Sequence, residues 1–311
     1  MEKPANREHF EDEITLLGRD AGPLVVRRDD LELTLLVDPV QVSEARKAGA
    51  SGVLLIAAML PDPLEVVYFA NSGSEANDLA WRIARTVTGR RGMVVTSNAY
   101  HGSTGLTMAT SPEEARPGDL PDWVATVAMP GDAADVSAAI DRLAARGHLP
   151  AAIAFDTVFS SDGIHPAAGE WMTGAVTAVR AAGGLYVADE VQAGLARTGR
   201  MWGFEHYDVV PDIVTMGKPI GDGHPLAAVV TTPGIAEEFA RKFHYFNTFG
   251  GNPVSAAVGL AVLDVIEQEH ILDNVREVGA YLGRGLKGLA ERHECIGDVR
   301  GKGLFYGVEI V

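Results

Sequence analysis

Three short stretches of this 311-residue chain carry residue types that could do chemistry together. The first is VVYFANSGSEAND, residues 66–78, where a β-rich run passes through Ser72-Gly73-Ser74 into an amphipathic pattern. Ser72 and Glu75 have the S-x-x-E spacing of a capping box, and the bland reading is a well-capped helix. The functional reading is that free amides at a helix N-terminus, beside a glycine and a hydroxyl, hold a phosphate. No G-K-[ST] follows, so this is not an ATP-hydrolysing P-loop. The second stretch, GLYVADEVQAG (184–194), puts Asp189 and Glu190 just past an apolar run. An acid there caps a helix or anchors a loop about as often as it serves a ligand. In a ligand role it would pair with a protonated heterocycle nitrogen, the partner a pyridoxal phosphate (PLP) ring needs. The third, PDIVTMGKPIGDGHP (211–225), delivers Lys218 between Gly217 and Pro219 after another apolar run. Most lysines are solvated surface groups, but one at the end of a buried strand is a candidate Schiff-base amine.

These groups need a frame that brings them to one edge. The runs 66–70, 93–96, 151–155, 185–188, 213–216 and 226–231 are almost continuously apolar, as strands covered on both faces are. Between them lie helical patterns: 75–87, with Ala76, Leu79, Ala80, Ile83, Ala84 and Val87 on one face and Gly89 as C-cap; Val136 to Leu143; and 171–182. The alternation predicts an α/β fold with a doubly wound, mostly parallel sheet and helices on both faces. Ligands bind at the carboxyl edge of such a sheet, where Asp189 and Lys218 would both emerge. After about Phe249 the strands stop, and two long helical patterns (253–268 and 271–293) lead to a short strand-like end at 304–310.

Composition narrows the function classes. Lys plus Arg number 26 against 42 Asp plus Glu, a formal charge of −16, and there is no Lys/Arg stripe for nucleic acid or anionic lipid. A 47% hydrophobic, 22% charged chain is globular. Cys295 is the only cysteine, which rules out an internal disulfide and fits a reducing cytoplasm. No apolar run approaches membrane-spanning length, and the polar, acidic start is unlike a signal or transit peptide. The histidines have no metal-ligand spacing such as H-E-x-x-H.

From about Met59 to Val311 the chain resembles the class III (ω-type) aminotransferases of PLP fold type I. The residues that carry the likeness are NSGSEAND, AYHG (99–102), VADEVQAGLARTG, IVTMGKPIGDGHP and FNTFGGNPVSAAVGLAVLDVIEQE. The last two also resemble the ethanolamine-phosphate phospho-lyase branch, and DTVFSSDG (156–163) a bacterial aminotransferase subgroup. The resemblance implies amino transfer between an amine or amino acid and a keto acid or aldehyde. Lys218 would form the Schiff base with PLP and move the substrate proton. Asp189 would pair with the pyridine nitrogen. Gly73 and Ser74 would hold the phosphate, Tyr100 and Val191 would cover the two ring faces, and Gln192 would lie near the phenolic oxygen. Thr248 would reach the cofactor of a neighbouring subunit, so the resemblance implies a homodimer with shared sites. His101 either lines the cofactor pocket or is an ordinary loop residue, and Asp156 stands where many members carry Glu. Phosphate elimination from an O-phosphoamine, or a PLP-binding scaffold without turnover, are the alternatives.

By the same resemblance, residues 1–60 form an atypical N-terminal segment, 61–250 the large PLP domain, and 251–311 a helical return with the start of an incomplete small domain. In full-length members that small domain usually carries an arginine for a substrate carboxylate. Residues 24–60 also resemble one strand–helix–strand unit of indole-3-glycerol phosphate synthase, and the equally good bland reading is an ordinary amphipathic helix at 40–48 with a buried strand at 52–57. Arg28 stands where that family has its catalytic lysine, and a single unit closes no barrel, so synthase chemistry is not expected.

Overall fold

The computed structural model describes residues 59–311 apart from Pro117 and Ala133, and the backbone of two earlier strands, β1 (Leu24–Arg28) and β2 (Leu31–Leu35). Those two form an antiparallel pair with Leu24 opposite Leu35. The helix and strand expected at 40–48 and 52–57 lie outside the described residues.

Seven strands make the central sheet: β3 (Val66–Ala70), β4 (Gly92–Thr96), β5 (Val124–Val127), β6 (Pro150–Asp156), β7 (Leu185–Asp189), β8 (Ile213–Met216) and β9 (Ala227–Thr231). Their spatial order is β3-β9-β8-β7-β6-β4-β5. Pairing is parallel from β8 through β7, β6 and β4 to β5, and β9 runs against both β3 and β8. The mostly parallel sheet is therefore as expected. Strand β5 is absent from the expected runs: the short VATV lies between Pro121 and the Met129-Pro130 pair and pairs with β4 at the sheet edge.

Both faces are covered. Helices α1 (Gly73–Thr88) and α5 (Pro233–Ala240) close one face, and α3 (Ala134–Ala145) and α4 (Gly169–Ala181) the other. Alternate strand residues feed the two cores: in β7, Tyr186 and Ala188 join the α3/α4 side and Val187 the α1 side. Helix α1 buries Leu79, Trp81 and Ile83 almost completely, each stabilising the fold by about 1.5–3 kcal/mol. Its N-cap is Ser72, whose Oγ accepts from the Glu75 amide, and Gly89 ends it at φ +66°. The capping box is only half closed, because the Glu75 carboxylate turns one residue further back to take the backbone and side-chain N–H of Asn71. A one-turn helix, α2 (Gly105–Ala109), follows β4.

Helices α6 (Pro253–Gln268) and α7 (Ile271–Ala290) follow the sheet, α7 ending three residues before the expected His293. Strands do not stop at Phe249: β10 (Ile296–Lys302) pairs antiparallel with β11 (Phe305–Ile310). Charged residues in β10 hide it from an apolar-run reading, since no residue of this two-stranded sheet is fully buried.

Candidate active site

The carboxyl ends of β3, β4, β6, β7 and β8 point to one edge, and the turns after them supply one pocket of about 140 Å³. It is lined by Gly73, Ser74, Asn77, Tyr100, His101, Gly102, Asp156, Asp189, Val191, Gln192 and Lys218. Eight of the nine residues expected at a cofactor site thus converge there. The ninth, Thr248, is exposed on the segment before α6 and does not line this pocket.

At the pocket's phosphate-like end, the first amides of α1 face outward with no carbonyl behind them, the inherent property of a helix start. Ser74 Oγ accepts from the Ser103 amide at 3.1 Å, which leaves its own O–H to donate elsewhere. Gly102 sits against it at φ +134°, and a Cβ there would come within 2.5 Å of Ser74 Oγ. Only glycine lets this loop approach the helix start so closely.

The opposite end is an acid held from several sides. Asp189 Oδ2 accepts from Asn77 Nδ2 and pairs with His101 Nδ1, both at 2.8 Å, and Oδ1 accepts from the Val191 amide at 3.1 Å. Asn77 is itself oriented: its Nδ2 also donates to the His101 carbonyl, and its Oδ1 accepts from Thr215 Oγ1 at 2.6 Å. Strand register explains the grouping, because Asp156, Asp189 and Thr215 are successive partners across β6, β7 and β8 and turn to the α1 side. His101 packs edge-on against Trp81, with centroids 5.3 Å apart, and its Nε2 is buried without a partner. His101 therefore lines the pocket. Burial, reinforced by the Asp189 charge, pushes the Asp156 carboxyl up. Asp156 accepts from Ser160 Oγ and the amides of Val158 and Ser160, and Gln192 Nε2 donates to the same Ser160 hydroxyl at 2.6 Å.

Lys218 opens a short 3-10 turn after β8 with φ +37°, an uncommon conformation for a residue with a Cβ. Gly217 precedes it in close contact with Gly73, where a Cβ would lie 3.2 Å from the Gly73 backbone. The turn thus places an exposed amine between the helix start and Val191. On the far side of Lys218 a larger cavity of about 750 Å³ opens, sharing Gly73, Val191, Gln192 and Lys218 with the first and adding Arg197, Asp222, His224 and Phe305 among others. Amides and hydroxyl for a phosphate, a carboxylate and an unpartnered buried imidazole at the far end, and an amine between them: these residues fit pyridoxal phosphate.

Asn77 is the residue that sequence reasoning missed. Its signal was present, since it lies inside NSGSEAND one turn into α1, but a polar residue on a helix reads as solvent-facing until the sheet beside it is known. Glu190 also lies elsewhere. It faces the α3/α4 side, accepting from the amides of Gly203 and Phe204 and from Thr157 Oγ1.

Comparison with known proteins agrees with this geometry. A family model described as "Aminotransferase class-III" matches residues 39–311, beginning ahead of Met59. Alanine–glyoxylate aminotransferase 2 homolog 2, mitochondrial, of Arabidopsis thaliana is 45% identical over 269 residues, covering 82% of this chain and 56% of that protein. Ethanolamine-phosphate phospho-lyase homolog 1 of Caenorhabditis elegans is 37% identical, covering 80% and 60%. Among solved structures, a phospholyase from Arthrobacter in complex with phosphoethanolamine superposes with a TM-score of 0.80 at 40% identity, covering 88% of this chain and 67% of that one. The chain spans a little over half the length of the curated relatives it matches. Class-III aminotransferases depend on pyridoxal 5'-phosphate, and this chain belongs to that family.

Proposed function

We propose that the chain carries the PLP site of an aminotransferase that moves an amino group between an amine or amino acid and a keto acid or aldehyde. The observation that carries this reading is the meeting of Lys218, Asp189 and the Gly73-Ser74 helix start in one pocket. When bound, the cofactor supplies an electrophilic carbonyl and an electron-withdrawing ring. Lys218 Nζ is the group that would hold it covalently, and the same amine is the base that takes and returns a proton at the substrate Cα. Asp189, fixed by Asn77 and His101, keeps a proton on the ring nitrogen. Gly73 and Ser74 bind the phosphate, Tyr100 and Val191 flank the ring, and Gln192 orients the phenolic oxygen.

Residues 61–250 are, on this reading, the cofactor-binding large domain and 251–311 a helical return with the first part of a small domain. The partner is a second copy of the chain, with Thr248 reaching the other copy's cofactor. The exposed Phe246 and Phe249 that flank Thr248 (59% and 70% exposed) support an interface there. Among the described residues no helix is long and apolar enough to cross a membrane. The lone cysteine supports a reducing compartment, the cytoplasm, although the Arabidopsis relative is named as mitochondrial.

A second reading is favoured by the Arthrobacter phospholyase, which is named with phosphoethanolamine: elimination of phosphate from an O-phosphoamine on the same site. One assay separates them. The PLP-loaded chain is given alanine with glyoxylate, and separately phosphoethanolamine. Glycine and pyruvate support transamination, inorganic phosphate supports elimination, and neither product across a panel of amines would sink both.

A further inference from the structure

Ser160 makes more hydrogen bonds than its own turn needs. It closes the turn after β6, where Asp156 accepts from the amides of Val158 and Ser160 at 3.1 and 3.0 Å. Those two amides complete the turn, and any residue but proline could supply the second. The Ser160 hydroxyl adds two bonds. It donates to the same Asp156 carboxylate and accepts from Gln192 Nε2 at 2.6 Å, 32 positions further along the chain. Three donors converge on Asp156 and make it the acceptor of the set. A hydroxyl has one proton, and here it is spent on Asp156, so toward Gln192 the same oxygen can only accept. The Gln192 amide is thereby turned nitrogen-first to Ser160, with one N–H used and a second left over.

Both ends of this relay are fixed. Phe159, just before Ser160, sits at φ +52°, an uncommon conformation for a residue with a Cβ. It is buried against Phe155 and Trp171, with ring centroids 5.5 and 5.6 Å away, and its carbonyl accepts from the Ile164 amide at 2.9 Å. Such a conformation persists only where surrounding contacts impose it, and these contacts fix where Ser160 begins. At the other end Val191, next to Gln192, is buried and its amide donates to Asp189 Oδ1. Asp156 and Gln192 both line the pocket that holds Lys218, and Ser160 does not. Its hydroxyl reaches the pocket only through those two side chains. A charged acceptor on one side of a hydroxyl strengthens the hydrogen bond that the hydroxyl accepts on the other.

We propose that Ser160 is a positioning residue of the cofactor site: held by Asp156, it fixes the Gln192 amide so that the second N–H of Nε2 meets the phenolic oxygen of PLP. This rests on the functional reading above and deepens it, since there Gln192 orients that oxygen and nothing yet orients Gln192. Without the hydroxyl the amide is free to turn its own oxygen to the ring, and an attraction is replaced by a repulsion. Asp189, Asp156, His101, Tyr100 and Lys218 also face the pocket, so the test has to separate Ser160 from their charges.

The pH at which the visible band of the PLP-loaded chain is half lost reports the proton shared by the Lys218 nitrogen and the phenolic oxygen. An N–H donor at that oxygen weakens its hold on the proton, so Ser160→Ala should raise the midpoint by about half a unit or more. Ser160→Cys, close in shape but a weaker donor and acceptor, should raise it too, and Ser160→Thr should stay within about 0.2 unit of wild type. The sign separates this effect from charge. An Asp156 without its hydroxyl donor protonates more readily, and a weaker negative charge nearby lowers the midpoint. Gln192→Leu should raise it as far or further, and adding Ser160→Ala to that variant should change little. Circular dichroism checks that each variant is folded. A midpoint unmoved or lowered in Ser160→Ala (or in Ser160→Cys, should Ser160→Ala fail to fold) overturns the proposal, as does an equal rise with Gln192→Leu already present. A wild-type chain that takes up no PLP removes the functional reading and this proposal with it, whereas a loaded chain whose midpoint ignores Ser160 removes the proposal alone.

Discussion

Asp189 and Glu190 are consecutive carboxylates at the end of β7, both withdrawn from solvent at 4% and 0% exposure, and the fold puts them to different uses. A strand turns successive side chains to opposite faces, so Asp189 looks toward α1 and Glu190 toward the α3/α4 layer. Two of Asp189's partners are side chains, His101 and Asn77, which orient it at the wall of an open pocket. Two of Glu190's are backbone amides, those of Gly203 and Phe204, which it braces behind Trp202. Burial outweighs those bonds and pushes the Glu190 carboxyl up to about 7. Identical chemistry one residue apart thus becomes a ligand group on one side of the sheet and a brace on the other. The partners decide which, not the residue type.

The largest expected effect lies outside the pair and sets its scale: Lys218→Ala should lower turnover about 10³-fold or more, measured with the best amine found. Within the pair, Asp189→Asn should cost about 10²–10³-fold in turnover with PLP still bound, while Glu190→Gln stays within about threefold. A reversed ranking breaks the comparison. Glu190→Gln should instead cost about 1–3 kcal/mol in denaturant unfolding, since an amide N–H would replace the oxygen that accepts from Gly203. The same carboxyl gives a pH signature. Its folded pKa lies above the ordinary value of 4.5, so ionisation opposes folding: stability falls as pH rises between about 4.5 and 7, and the penalty is complete above. Wild type measured against Glu190→Gln from pH 5 to 8 should lose on the order of 2 kcal/mol. The difference measurement matters because His206, pushed down to about 4 chiefly by burial, contributes an opposite slope in both proteins. Asn77→Ala is the mildest loss expected from a pocket residue: about fivefold in turnover if it only orients Asp189, with the cofactor's absorption maximum shifted.

The central strands and helices were legible because apolar runs and helical periodicity coincide there with burial on both faces. Val66–Ala70 and Ile213–Met216 have the expected bounds, and α1 exceeds its expected range by only a few residues. What escaped obeys the same physics under weaker patterning. Strand β5 is a four-residue edge strand, and β10 carries Asp298, Arg300 and Lys302 on a sheet whose residues are at most partly buried. Of the site, Lys218 and Asp189 were readable from their places after apolar runs. The roles given to Tyr100, Val191, Gln192 and Thr248 came from the family resemblance instead. Asn77 was invisible because it acquires meaning only from a neighbour far away in sequence, Asp189.

On this reading one amine, Lys218, takes pyridoxal phosphate. Loading the chain with PLP, reducing it with borohydride, digesting it and locating the pyridoxyl group by mass spectrometry tests it directly. A single modified peptide containing Lys218 is expected, lost in Lys218→Ala. Label spread over exposed lysines, or concentrated at another such as Lys242 or Lys302, would contradict it.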